Sequence, residues 1–140
     1  MYQFSRSIYR DLAPDVIAHK GEDMVITRQR FLRACELAME RLAGDRHYFA
    51  KPVRTLFIDV RHFFAMNDQL RVYRVVEHYV TSAVQYVDEQ LKAGVTIDGS
   101  PVCCHASTRK GTACQRVPLP GGKYCPSHKH LEEDLEVAAA

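Results

Sequence analysis

Apolar side chains recur every three or four residues over residues 1–93, a spacing that is typical of amphipathic helices. The first stripe consists of three residues at intervals of four: Phe4, Ile8 and Leu12. Pro14 ends or restarts this helix, because its ring removes a backbone donor and clashes with the preceding turn. A second helix is predicted to begin near Thr27 as its N-cap and to end at Gly44, which suits the left-handed position beyond a helix.

Two further helices are predicted after Gly44. Pro52 suits the first position of the third helix, because the N–H that it lacks would have no partner there. The apolar face of this helix consists of Val53, Leu56, Phe57, Val60, Phe63 and Phe64. Asn67 and Asp68 form a tight connection to a fourth helix, which runs to about Ala93 and is ended by Gly94. Its apolar face consists of Tyr73, Val76, Val80, Ala83, Val84, Val87 and Leu91. Short connections between helices favour antiparallel neighbours, so the pattern predicts a mainly α fold with an antiparallel helical bundle.

The cysteines indicate a second kind of structure after Gly94. Four of the five cysteines lie between positions 103 and 125. An odd, clustered set in a chain without an apolar leader favours thiolate–metal chemistry over disulfides. The candidate ligands are one of the adjacent pair Cys103 and Cys104, together with Cys114, Cys125 and His128. His130 is a poorer candidate than His128, because a separation of five from Cys125 fits one helical turn less well than a separation of three.

The chain between these candidates contains the reversals that a metal site requires. Lys110–Thr112 precedes the second ligand, and Pro118–Gly122 precedes the third; both contain turn-forming residues. Pro126 suits the start of a helical turn that would bring Cys125 and His128 together. Zinc prefers four nitrogen or sulfur ligands in a tetrahedron, and three cysteines and one histidine leave no position open for water. The segment therefore predicts a structural Zn²⁺ site.

The same segment resembles a known family. Its candidate ligands are separated by nine, ten and two residues, with Thr108 and Gly111 in the first loop and Tyr124 before the third cysteine. This pattern is similar to the small three-Cys-one-His zinc-knuckle module found in many bacterial, phage and some eukaryotic proteins. The resemblance covers residues 103–129 and implies that the ligands are Cys104, Cys114, Cys125 and His128. Cys103 is then a spare thiol, and nucleic-acid binding is an activity often assigned to such modules.

Charge is distributed unevenly along the chain. Residues 1–102 hold 14 Lys or Arg and 13 Asp or Glu, whereas residues 103–130 hold five Lys or Arg and no acid. Residues 131–140 hold four acids and no base. We expect four cations to contact the phosphates of DNA or RNA: Arg109, Lys110, Arg116 and Lys123. Alternatively, these four cations and Lys129 only offset the single negative charge of Zn²⁺ bound to three thiolates.

These patterns divide the chain into four parts. We predict a helical bundle at 1–93, a linker with a short strand at 94–102, a zinc module at 103–130 and an acidic tail at 131–140. No apolar run approaches the roughly 20 residues of a membrane span. Charged residues such as Arg6 and Arg10 interrupt the first segment, which argues against a secretory signal. We therefore expect a cytoplasmic protein.

The expected function is that of a zinc-containing binding or regulatory protein associated with nucleic acid. The alternative is a protein–protein adaptor whose helical surface binds a partner while zinc is purely structural. The aromatic stripe Phe57–Phe64 could also face a second copy of the chain. An enzyme is not expected, because the sequence lacks a phosphate-binding glycine loop, a nucleophile elbow and the zinc-deaminase pattern. The spacing of His62, His78, Asp59 and Glu77 does not require a second metal site.

Overall fold

The computed structural model describes residues 1–97 and 102–132. The described residues include the α-helices α1 (Tyr2–Leu12), α2 (Met24–Gly44), α3 (Pro52–Val60) and α4 (Gln69–Lys92). Short 3-10 turns occupy Ala13–Asp15, Arg61–Phe63, Met66–Asp68 and Pro126–His128. The predicted mainly α fold class is confirmed. The chain divides into two compact units, Met1–Val87 and Asp88–Ala140, which we call the helical unit and the C-terminal unit.

Helices α1 and α2 run in opposite directions within the helical unit. The Tyr2 hydroxyl, at the start of α1, donates to Glu40 Oε1 near the end of α2 at 3.2 Å. Near the other end of α1, the rings of Tyr9 and Phe31 stack with their centroids 6.1 Å apart. Ile8 is fully buried between these points, as the stripe of α1 predicts.

Helix α4 also runs antiparallel to α1. Phe4 near the start of α1 contacts Tyr86, with ring centroids 6.0 Å apart. Asp11 near its end accepts a hydrogen bond of 2.7 Å from the Tyr79 hydroxyl, which lies earlier in α4. Arg71, earlier still, donates to the Asp11 carbonyl at 3.1 Å and pairs with a carboxylate just beyond α1, that of Asp15. Hydrogen bonds and an ion pair therefore connect α4 to the end of α1 beside the apolar core.

The core of the helical unit is arranged around Phe31. Its ring lies 5.2 Å from that of Phe64 and 5.9 Å from that of Phe63, centroid to centroid. Helix α4 contributes a buried stripe consisting of Val72, Val76, Val80, Ala83 and Val87. The predicted face of α4 is wrong at two positions: Val72 rather than Tyr73 begins the buried stripe, and Leu91 is exposed at the helix end.

The predicted ends of α2 are also wrong. The helix begins at Met24, because the Asp23 carboxylate caps it by accepting from the N–H groups of Val25 at 2.8 Å and Ile26 at 3.1 Å. Thr27 lies in the first turn, where it is buried and its hydroxyl donates to the Asp23 carbonyl at 2.8 Å. Gly44 is the last helical residue and does not take the predicted left-handed conformation.

The third predicted helix is shorter than its apolar pattern. Helix α3 does begin at Pro52, but it ends at Val60, and Phe64 is in an extended conformation paired with Val16. The Gln69 side chain satisfies the carbonyls freed at this break, donating to those of Arg61 at 2.9 Å and Phe64 at 3.2 Å. Within the linker predicted at 94–102, Val95 forms a β-bridge, and the residues that the structure describes there form no longer strand. Positions 98–101 of this linker and the tail beyond 132 lie outside the described residues.

Candidate metal centre

A short hairpin brings the first two predicted ligands together. Ser107 and Ala113 form an antiparallel bridge, and the Thr108 N–H donates to the Thr112 carbonyl at 2.7 Å. Gly111 closes the turn with φ of +77°, a conformation that suits glycine. The Cys104 N–H donates to the Arg116 carbonyl at 2.8 Å. These bonds hold Cys104 opposite the returning segment that carries Cys114.

A second turn returns the chain towards the first ligand. The Gly122 N–H donates to the Leu119 carbonyl at 2.9 Å, and Gly121 has φ of +75°. The Leu119 N–H then bonds to the Tyr124 carbonyl at 3.0 Å. The His105 N–H donates to the Lys123 carbonyl at 3.0 Å, which places the third ligand segment beside the first. Both reversals therefore occur where the sequence predicts them.

The third and fourth candidate ligands lie on one tight turn. Pro126 is its first residue, and the His128 N–H donates to the Cys125 carbonyl at 2.9 Å. The turn is 3-10 rather than α-helical, because this bond spans three residues. It directs the side chains of Cys125 and His128 towards the same point.

The four side chains converge on a single centre, which we call the Cys3His cluster: Cys104, Cys114, Cys125 and His128. Their ligand atoms all lie within 4.8 Å of one another. His128 presents Nδ1, which lies 3.5 Å from Cys104 Sγ and 3.4 Å from Cys125 Sγ. Tetrahedral bonds of about 2.3 Å to sulfur and about 2.0 Å to nitrogen would separate such atoms by roughly 3.5 Å. The donor set and its spacing therefore fit a tetrahedral metal ion.

The electrostatics of the cluster favour a thiolate at Cys104. Burial opposes ionisation of this thiol, but the Cys125 and Ala106 backbone groups, the His128 ring and the Cys125 thiol lower its pKa to about 6. The Cys125 N–H lies 3.3 Å from Cys104 Sγ. At Cys114 the Arg116 N–H lowers the pKa, yet burial and the neighbouring sulfurs outweigh it and raise the pKa. Three sulfurs in one small site thus cannot all ionise easily without a cation between them.

The competing candidates lie outside the cluster. The Cys103 thiol is half-buried and lies 3.9 Å from Gln115 Oε1. His130 is exposed, with its ring centroid 6.4 Å from that of His128. Cys35 is buried in the helical unit, as expected of a core thiol, and burial raises its pKa to about 12. Over residues 1–97 and 102–132, the Cys3His cluster is the one group of three or more His, Cys, Asp or Glu side chains suitably placed for a metal.

The predicted phosphate-binding cations occupy three settings around the cluster. Arg109 and Lys110 are exposed in the hairpin turn. Arg116 is exposed, but its guanidinium donates to Ser127 Oγ at 2.7 Å and so links the second and third ligand segments. Lys123 is half-buried. The pattern of charges cannot reveal the Arg116–Ser127 bond, because its partners are separated by 11 positions and meet only once the site is folded.

No family model, curated protein or solved structure matches this chain. Among the described helices, none combines the length and the apolar character needed to cross a membrane. The Cys3His cluster and the charges around it are therefore the features of the chain that indicate a function.

Proposed function

We propose that this chain is a zinc-binding protein that associates with nucleic acid through its C-terminal unit. The observation that carries the proposal is the Cys3His cluster, whose donor atoms lie within 4.8 Å of one another. Cys104, Cys114, Cys125 and His128 would hold one Zn²⁺ ion. Because four protein donors complete a tetrahedron, the ion would be structural and would fix the shape of the surrounding loops.

The charge of these loops supports a polyanionic partner. Residues 103–130 contain five Lys or Arg and no acid. Arg109 and Lys110 are exposed in a turn that a bound ion would make rigid. A rigid pair of cations can bind phosphates without the entropy cost of ordering a loop. If these cations served only to balance the metal site, their removal would leave nucleic-acid binding unchanged.

Titration against labelled duplex and single-stranded DNA and RNA at two salt concentrations tests the proposal. Counterion release makes the affinity fall as salt rises. The double variant Arg109→Ala, Lys110→Ala should reduce the salt slope by about 0.7 to 0.9 for each lost phosphate contact. The matched control is Arg6→Ala, Lys20→Ala, which removes the same charge from exposed positions in the helical unit. Equal losses in the two double variants would contradict the proposal.

A protein–protein adaptor is the second candidate. Met66, in the 3-10 turn before α4, is 77% exposed, and Leu70, in the first turn of α4, is 62% exposed. An exposed apolar pair of this kind is available to a protein partner or a second copy of the chain. Two results together would favour this role. One is that the protein shows no salt-sensitive binding to nucleic acid, and the other is that the double variant Met66→Ser, Leu70→Ser no longer binds a purified partner protein that the parent binds. Light scattering of the isolated protein would detect self-association.

A further inference from the structure

A second cationic surface lies in the helical unit, in the segment that joins α2 to α3. Between positions 41 and 54 the chain carries four cations and one acid: Arg41, Arg46, Lys51 and Arg54 against Asp45. The Asp45 carboxylate bonds to its own segment, because its Oδ1 accepts from the His47 N–H at 2.8 Å. This segment therefore presents a surplus of positive charge that is independent of the Cys3His cluster.

An aromatic ring is held in place within this surface. Tyr48 is 53% exposed, and its ring stands edge-on to Phe49 with centroids 4.8 Å apart. Phe49 packs against the helical core, and the Tyr48 N–H donates to the Asp45 carbonyl at 3.1 Å. The Arg41 guanidinium lies 5.3 Å from the Tyr48 centroid. The Tyr48 ring therefore packs against Phe49 and lies beside the Arg41 guanidinium, while more than half of the residue stays exposed to solvent.

The surroundings of Tyr2 show what distinguishes Tyr48. Tyr2 has almost the same exposure, 54%, but its hydroxyl donates to Glu40 at 3.2 Å. Glu40 itself accepts from the Arg33 guanidinium at 3.0 Å, so the charges beside Tyr2 largely cancel, whereas the Arg41 guanidinium beside Tyr48 attracts phosphate. The two tyrosines therefore differ in local charge and not in accessibility, so Tyr2 provides a matched control.

We propose that Tyr48, with Arg41, Lys51 and Arg54, binds single-stranded nucleic acid. A base would stack on the Tyr48 ring while the cations contact the neighbouring phosphates, the combination by which single strands are bound without sequence preference. Lys51 is three residues from Tyr48, so their Cα atoms are at most about 11 Å apart. Arg54 lies one helical turn beyond Lys51, about 5 to 6 Å further. The ligand class rests on the proposed function, but the surface is separate from the zinc module.

The test uses the full chain loaded with zinc and two labelled probes. One is an oligothymidylate of about 12 nucleotides, and the other is an abasic backbone of the same length. Tyr48→Ala should weaken binding of the oligothymidylate by about 5- to 100-fold and leave the abasic backbone nearly unaffected, because stacking requires a base. Tyr48→Phe and the control Tyr2→Ala should stay within about twofold of the parent. Lys51→Ala, Arg54→Ala should weaken both probes and lower the salt slope.

The outcomes separate this inference from the proposed function. Unchanged binding by Tyr48→Ala, with weakened binding by Arg109→Ala, Lys110→Ala, overturns the inference and leaves the proposed function standing. The reverse result supports the inference and overturns the role of the zinc module. Failure of the parent to bind either probe overturns the inference, and the proposed function is then decided by the duplex and RNA titrations. Binding of polyglutamate with the same dependence on Tyr48 also overturns the inference, because it indicates an acidic protein partner. Unfolding midpoints of the Tyr48 variants within a few degrees of the parent show that the comparison is made on folded protein.

Discussion

Removing the metal from the Cys3His cluster should unfold the C-terminal unit and spare the helical unit. In the part of the C-terminal unit that the structure describes, the buried cluster consists of three of the proposed ligands and Ala106, with Tyr124 and Leu131 packed partly against them. Burying a full leucine contributes about 1.5 to 3 kcal/mol, so the three residues that are not ligands supply on the order of 5 kcal/mol together. Zinc supplies about 10 kcal/mol or more in modules of this size. Without the ion, the module loses the larger of these two contributions to its stability, and the three thiols remain in close contact.

The assay combines metal content with amide hydrogen exchange. Purified protein should contain one zinc ion per chain by elemental analysis, and a chelator should abolish exchange protection at 102–132. The amides around Phe31 should stay protected, because their core contains none of the proposed ligands. Cys104→Ser should lose the ion, whereas Cys103→Ser should keep it, since the Cys103 thiol lies outside the cluster. Persistent protection of residues 102–132 in metal-free protein, or loss of metal from both variants alike, would refute the reasoning.

Three further predictions concern the helical unit, each measured by urea unfolding. Phe31→Ala should lower the free energy of unfolding by about 3 to 5 kcal/mol, because it removes the central ring of the core. A decrease below about 1 kcal/mol would contradict the central position of Phe31. Asp23→Ala should lower the free energy of unfolding by about 1 kcal/mol, because it removes the side chain that caps α2. Asp23→Asn should lower it much less, because the asparagine carbonyl can accept the same hydrogen bonds. Burial raises the pKa of Cys35 from 9.0 to about 12, so the folded state retains a proton that the unfolded chain releases. Stability should therefore fall by about 1.4 kcal/mol per pH unit between those values, and Cys35→Ala should flatten the profile.

The sequence predicts the helices well where one face is buried and poorly at their ends. Ile8 and Leu12 are buried as their spacing requires. The start of α2 is obscured because Val25 and Ile26 are apolar yet exposed, so the first turn does not follow the pattern. Asp23 and Thr27 are both good capping residues, and only the hydrogen bonds of the folded chain show that Asp23 is the cap.

For the candidate site, the sequence predicts which residues converge but not how each of them presents its ligand atom. Turn residues and spacing indicate which side chains can converge, and the structure brings Cys104, Cys114, Cys125 and His128 together. Spacing alone does not show that His128 offers Nδ1, because the choice of nitrogen depends on the 3-10 turn at Pro126–His128. The sequence also does not reveal that the Gln69 side chain donates to the Arg61 carbonyl at the start of the 3-10 turn after α3, because this contact exists only once the chain has turned there.

The hydrogen bond between Tyr79 and Asp11 has a consequence for the order of folding. It joins positions 68 residues apart, whereas the Tyr2–Glu40 bond between α1 and α2 joins positions 38 apart. Closing the longer loop costs more chain entropy, so we expect α1 and α2 to associate before α4 completes the structure. Tyr79→Phe should then accelerate unfolding while leaving the refolding rate nearly unchanged. Detachment of α4 would then be the step that determines the unfolding rate, and hence the lifetime of the native state.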